Sequence, residues 1–382
     1  MSVRPIRRSD YEALNRLHRQ VGWPERSQAG WRWLEDNPAR RDIDAPFGWV
    51  VADRRDEPVA MLGNLIQRFC KDDESLYAAT GFSIIVPPER TGASRCLIKA
   101  ILAQPDLFAC YTLNANPRAA PLYRLFGLKP GPTETHALKL SWMVDPLTCL
   151  KGRLLRRLLG GISAEQARRL GEPLMNARLF QPPRLQLPDD VVVLRDVREN
   201  SPYADFWRAL TAEGRLLADR GPEIMAWRLA DPDQTLPPIL LGRMRDGRLV
   251  GTATAMMTKT SPIEPPCLDI IDLTALQTDP EAIEVLAGVL IDNARALGAA
   301  KVRLPVTNPD ILDHLGALPP KARREGGWGH CHARVDDPVL AETWAPTPFD
   351  GDYAVCARPV PQPRARRAPV RASAVQGGFW KA

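Results

Sequence analysis

The sequence predicts an α/β protein built on mixed sheets in two units, and three observations predict it. Strand-type runs alternate with amphipathic helices over the first 145 or so residues. The same order returns weakly after residue 189. The length, 382 residues, exceeds what one hydrophobic core usually supports.

The chain opens on a helix, with Ser9 and Glu12 spaced as a capping box and Leu14, Leu17 and Val21 on one face. Three strand-type runs follow at 47–53, 58–69 and 77–86, the last stopped by Pro87 and Pro88. A helix carrying Leu97, Ile98, Ile101 and Leu102 comes next, then a buried strand over 107–114. After the stretch "NPRAAPLYRLFG" (116–127), the run "HALKLSWMV" (136–144) is expected to close this unit as a last strand.

The recurrence is read from short matches at similar spacing. Trp33 and Pro38 return as Trp227 and Pro232, "DEPVAMLGN" (56–64) resembles "DGRLVGTAT" (246–254), and "LNANP" (113–117) resembles "VTNPD" (306–310). The expected organisation is therefore a first unit over 1–145, a basic and partly helical linker over 146–188, a second unit over 189–357, and a disordered Pro/Arg-rich tail over 358–382. The linker holds six bases and one Glu within 151–170, read as a solvated helix or as a contact for an anionic surface.

Net charge is +6, but the tail alone carries Arg358, Arg364, Arg366, Arg367, Arg371, Lys381 and no acid. The body is thus neutral overall, which argues against a general nucleic-acid face. Seven scattered cysteines without a C-x-x-C pair fit reduced thiols. No apolar run approaches a membrane span and no secretory signal opens the chain, so a cytoplasmic protein is expected. His330 and His332 lie two apart, but no further ligands are spaced to complete a metal site.

Two motifs carry the chemistry. In "VPPERTGASRCLIKAIL" a strand end runs through Gly92 into a helix, the arrangement that presents backbone N–H groups and a helix dipole to an anion. Gly92 admits close backbone approach, Ser94 is small, and Arg90, Arg95 and Lys99 add positive charge. The fitting ligand is a diphosphate. In the second motif Asn116 is placed to cap the helix or to turn beside a ligand, and Pro121 moves the helix start to near Ala119 with Asn116 in the loop before it. Tyr123 follows, where a core helix would accept Leu without a hydroxyl to satisfy.

Glu89-x-x-Gly92-x-Ser94 resembles the acetyl-CoA pyrophosphate loop of the GNAT superfamily of N-acyltransferases. Asn116, Ala119, Leu122, Tyr123 and Gly127 resemble that family's N-x-x-A-x-x-L-Y-x-x-x-G-F motif, with Leu128 where Phe is usual. The resemblance covers residues 3 to 144, and reaches the second half only through the repeat. It implies acyl-CoA, in the first instance acetyl-CoA, bound by Ile85, Val86, Arg90, Thr91, Gly92, Ala93, Ser94, Arg95 and Asn116, with transfer to a small-molecule or peptide amine. It further implies that Tyr123 protonates the departing thiolate. The phenol pKa of about 10 lies near a thiol's 8.5 or so, so the transfer is well matched.

The family's pattern is broken in three further places. Glu89 stands where Gln or Arg is usual, Ser94 replaces Gly or Ala, and the strand before the loop holds no carboxylate as base, leaving water or Asp72, Asp73 or Glu74 for that task. In the second half Asp279, Pro280, Glu281 and Glu284 fall where the cradle would be, and no Tyr aligns with Tyr123, so that half is expected to be a scaffold or to bind substrate. Asp350 and Asp352 are read either as a polar turn or as an acidic patch for an amine. Two alternatives stand beside the transferase: a non-catalytic acyl-CoA-binding or interaction protein, and an aminoacyl-tRNA-dependent transferase of the Fem type.

Overall fold

Two mixed sheets carry the fold, each organised about one long antiparallel hairpin. The computed structural model describes residues 2–72, 74–90, 92–159, 164–176, 178–179, 185–259 and 263–355, without the side chains of 159, 164, 165, 167 and 168. The expected tail over 358–382 lies outside the described residues.

The first half runs β1 (Ser2–Pro5), α1 (Tyr11–Gln20), α2 (Gln28–Glu35), α3 (Pro38–Asp42), β2 (Gly48–Ala52), β3 (Pro58–Lys71), β4 (Glu74–Ile85), α4 (Ala93–Leu102), β5 (Ala109–Thr112), α5 (Ala120–Leu125), β6 (Lys129–Pro130) and β7 (Leu138–Met143). Helices α6 (Pro146–Leu159) and α7 (Ala164–Met175) follow. The second half runs β8 (Val191–Val193), α8 (Pro202–Thr211), β9 (Leu217–Ala218), α9 (Pro222–Leu229), β10 (Ile239–Arg245), β11 (Arg248–Thr258), β12 (Cys267–Ala275), α10 (Ala282–Ala294), β13 (Lys301–Val306), α11 (Pro309–Asp313), β14 (Arg323–Glu325) and β15 (His332–Val335).

Period-two alternation puts successive side chains of β2 and β3 on opposite faces, and both faces are covered. Val50, Met61 and Leu65 join Tyr11, Leu14 and Trp31 from α1 and α2, whereas Trp49, Val51, Leu62 and Ile66 meet Leu97 and Ile101 of α4. The opening helix differs from the expected one. A 3-10 turn over Arg8–Asp10 precedes α1, the N-cap is Asp10 rather than Ser9 and makes no side-chain bond into the helix, and Val21 is exposed.

The first sheet has the order β1-β2-β3-β4-β5-β15-β6, and the second β14-β7-β13-β12-β11-β10-β8. In each, one hairpin strand pairs parallel with the strand that follows the next helix: β4 with β5, and β12 with β13. The next position in each sheet is filled from the other half. β7 pairs with β13 and β14, while β15 pairs with β5 and β6. The expectation that 136–144 closes the first unit is therefore corrected: the strand forms over 138–143, but in the second sheet. Its alternation specifies a strand and a buried face, and neither names the neighbour.

The matched tryptophans meet at a local two-fold. The rings of Trp33 and Trp227 stack at 4.8 Å, and each indole N–H donates to the other's carbonyl, at 2.7 and 2.8 Å. Such reciprocity marks an isologous contact. A shared core joins the halves as well, with Phe69, Tyr111 and Leu113 packed among Phe206, Leu217, Leu240, Trp344 and Phe349.

Candidate functional site

The C-terminal ends of parallel strands are where open α/β sheets bind ligands, and in the first sheet those ends separate. β4 and β5 pair only through Ala78–Thr80 and Ala109–Tyr111, after which β4 runs on to Ile85 with β3 but without β5. Opposite β3, the pairing steps from Gly63 with Phe82 to Met61 with Ile85, so β4 holds one extra residue. That is a β-bulge, and Ser83 within it has φ +48°. A bulge beside a splayed pair turns backbone and side chains away from the ladder.

The opening is a cavity of about 210 Å³ whose walls include Phe82, Ser83 and Ile84 of β4, and Asn114, Asn116 and Tyr123 beyond β5. Helix α5 starts at Ala120 with Pro121 in its first turn. The Asn116 carboxamide oxygen accepts the N–H groups of Arg118 and Ala119, both at 2.9 Å, so Asn116 sits in the loop and caps the turn into the helix. One turn on, the Tyr123 ring lies against His332, with centroids 6.3 Å apart. The two motif residues Asn116 and Tyr123 thus reach one cavity.

The rest of the loop motif lies at the end of β4 that leads into α4. Gly92 is the N-cap of α4 with φ +86°, and a Cβ built there meets nothing within 4 Å. The left-handed backbone, not crowding, requires glycine. Arg90 N–H donates to Pro87 O in the turn before it, and Arg95 N–H to Gly92 O. Arg95 and Glu89 are exposed, Ser94 and Arg90 half-buried, and Ala93 buried beneath the helix. Thr91 lies outside the described residues. Ile85 points into the core beneath α1 and Val86 packs towards α4. Neither side chain lines the cavity, where Ile84 stands instead.

The base candidates named from the sequence are elsewhere. Asp72 and Glu74 occupy the β3–β4 turn, at the opposite end of β4 from the bulge, and Asp73 lies outside the described residues. Other groups take the cavity wall, several of them delivered by the second half: Asp231, Asp233, Trp328 and Asp352, with Lys139 from the exchanged strand β7 and His18 from α1. Lys139 is held by Asn114 Oδ1 at 3.4 Å and lies over the rings of Trp328 and Tyr353, at 5.3 and 5.6 Å. Burial pushes its ammonium down to about 8. His18 donates through Nδ1–H to Pro24 O at 2.8 Å, and burial lowers its pKa. Nothing in the sequence marked Lys139, because its placement depends on the strand exchange.

The 350–352 acids part company: Asp350 takes the turn, and Asp352 lines the cavity. Asp350 ends a 3-10 turn and is fully buried, bonded to Arg220 at 3.0 Å and to the Trp344 indole at 2.9 Å. Arg220 also grips Asp272 at 2.9 Å and Thr347 at 2.6 Å. This buried network fixes the segment that carries Asp352 to the cavity. His330 and His332 are buried, and burial takes them down to about 2 and about 4. His332 Nε2 accepts from Arg124 and so packs against the Tyr123 helix, whereas the His330 ring lies edge-on to Trp328.

The corresponding turn of the second sheet is built differently. β12 also holds an extra residue opposite β11, but Asp279 and Glu281 precede α10 and both pair with Arg245. Asn308 caps α11 through the Asp310 N–H at 2.9 Å, as Asn116 does its own turn.

No known family profile matches the sequence, and no curated protein matches it. Solved structures do. A GCN5-related N-acetyltransferase from Anabaena variabilis superposes with TM-score 0.50 at 15% identity, over 90% of this chain and 75% of that one. The chain has the GNAT fold. Saccharomyces cerevisiae N-myristoyltransferase, solved with bound myristoyl-CoA and inhibitors, gives 0.52 at 11%, over 87% and 79%. A conserved protein from Enterococcus faecalis described as a probable N-acyltransferase gives 0.50 at 11%, over 90% and 73%. All three structures match across both halves of the chain. No helix among the described residues is long and apolar enough to cross a membrane.

Proposed function

We propose that the protein is an acyl-CoA-dependent N-acyltransferase with one active site, at the splayed edge of the first sheet, and that the second half is a degenerate copy serving as its wall and scaffold. The observation that carries the reading is the convergence of Tyr123, Asn116 and the bulged segment of β4 on one cavity, at the end of the strand that leads on to the Gly92 helix start. The diphosphate of acetyl-CoA, or of another acyl-CoA, would lie on the N–H groups that open α4, with Arg90 and Arg95 at the rim. Its pantetheine arm would follow the gap between β4 and β5, past Ile85, Val86 and Asn116.

The acceptor amine attacks the thioester carbon, whose oxygen is held by backbone N–H groups of the bulge. The C–S bond breaks, Tyr123 protonates the sulfur, and the proton shed by the acylated nitrogen returns to the Tyr123 oxygen. The amine must lose its proton first. A base near pH 8 suits an ammonium of pKa about 10 better than a weaker one, so Lys139 is preferred to His18 for that step. Asp352 beside Lys139 favours a cationic acceptor, whereas Asp231 and Asp233 are already paired with Arg26 in the cavity wall. Free thiol released from acetyl-CoA, measured across a panel of amines, tests the reading. Glu89 at the loop favours one rival, binding without turnover, and the same assay with a CoA titration separates them.

A further inference from the structure

We propose that the α6–α7 helix pair is a docking surface for a bilayer containing anionic phospholipid. Twelve large hydrophobic side chains are exposed among the described residues, and six are on these two helices: Leu147, Leu150, Leu154 and Leu158 on α6, and Leu170 and Leu174 on α7. The α6 leucines step by three, four and four, which keeps them on one stripe. Their exposure runs from 49% to 76%. The stripe therefore faces outward, the reverse of a core helix.

The inward side of α6 is made of small residues. Gly152 lies against Pro265, where a Cβ would come within 2.8 Å of the ring, and Cys149 is buried. Gly171 of α7 meets Ile263 in the same way, at 2.5 Å, and Arg156 pairs with Glu264 at 3.1 Å. Both helices thus dock through glycine on the 263–265 loop and hold their leucines away from the body. Helix α6 has no acidic residue. At 100° per residue, Arg153 and Arg157 flank the leucine stripe on one side and Lys151 on the other. Apolar stripe, basic flanks and a length of about 21 Å are the features of a helix lying in a membrane interface.

Charge selects the occupant. A second copy related by a two-fold would set Lys151, Arg153 and Arg157 against their own equivalents, whereas anionic headgroups neutralise them. The surface is separate from the cavity and stands independently of the proposed reaction.

The test is co-sedimentation of the full chain with vesicles of equal parts phosphatidylglycerol and phosphatidylcholine, against phosphatidylcholine alone. Retention on the anionic vesicles only is expected. Leu154→Gln with Leu158→Gln, both at exposed positions that need not disturb folding, should lower partitioning at least tenfold. Replacing Lys151, Arg153 and Arg157 by Gln should lower it about fivefold per residue. Circular dichroism confirms that the variants are folded. Equal partitioning on both vesicles, no retention at all, or a dimer in sedimentation equilibrium that the leucine variants dissociate would each overturn the proposal.

Discussion

The turn after β4 and the turn after β12 occupy the same place in two sheets of matching strand order, and they differ in what each offers an anion. The first has Gly92 in a left-handed conformation, no acid in the first turn of α4, and an open cavity with a tyrosine beyond it. The second has Asp279, Pro280 and Glu281 ahead of α10, the acids tied to Arg245, and a cavity of about 140 Å³. Shared architecture thus does not dictate what a turn offers a ligand, because a few side chains at a helix start decide which charge it accepts. The second half still contributes to the first site, supplying Asp231, Trp328 and Asp352 to its wall.

The comparison can be broken at several points. Arg220→Met would strand Asp272 and Asp350 in the core without their cation, and should cost about 3–5 kcal/mol in urea unfolding. An unchanged midpoint would remove the network as the anchor of the 344–355 segment. Tyr123→Phe should lower kcat about 100-fold while CoA affinity and melting temperature change little. His314→Ala, in the smaller cavity of the second half, should leave kcat within about twofold, since surface changes rarely reach a distant site. Equal losses from the two variants would mean that both halves catalyse.

A pH profile sharpens the assignment of Lys139. Its ammonium, depressed to about 8 by burial, is charged below that value and neutral above it. Wild-type kcat/KM should then rise about tenfold per pH unit up to about pH 8 and level off, and Lys139→Met should lose that limb. A wild-type limb retained in the variant assigns the proton to another group. The smallest effects are expected at the two caps. Asn116→Ala and Asn308→Ala should each cost about 1 kcal/mol in stability, but only the first should alter turnover.

Much of this contrast was legible in the sequence, and the illegible part has a common cause. The strands of the first hairpin announce themselves through Val, Ile and Phe at period two, and Gly92, Asn116 and Tyr123 sit in short motifs whose local geometry the chain itself sets. The acids at 279–281 were readable for the same reason. Which strand neighbours β5 was not, because β7 and β15 have the same alternation and their partners lie more than 150 residues away. Lys139, Asp231 and Asp352 were missed as site residues, or left between two readings, because only long-range contacts bring them to the cavity: the strand exchange for Lys139, the Arg26 pair for Asp231 and the Arg220 network for Asp352. Ser83 was missed because a bulge is fixed by the pairing register, which a single strand does not reveal.

One site per chain is the central claim, and calorimetric titration of the full chain with CoA tests it most directly. The intact protein is needed, since each sheet contains a strand from the other half. Gly92→Asp is a clean companion: its Cβ meets no atom within 4 Å, so the fold bears only the left-handed backbone cost of about 1–2 kcal/mol, while its carboxylate faces the incoming diphosphate. The account predicts one CoA bound per chain and none in Gly92→Asp. Two CoA per chain, or undiminished binding in the folded variant, would contradict it.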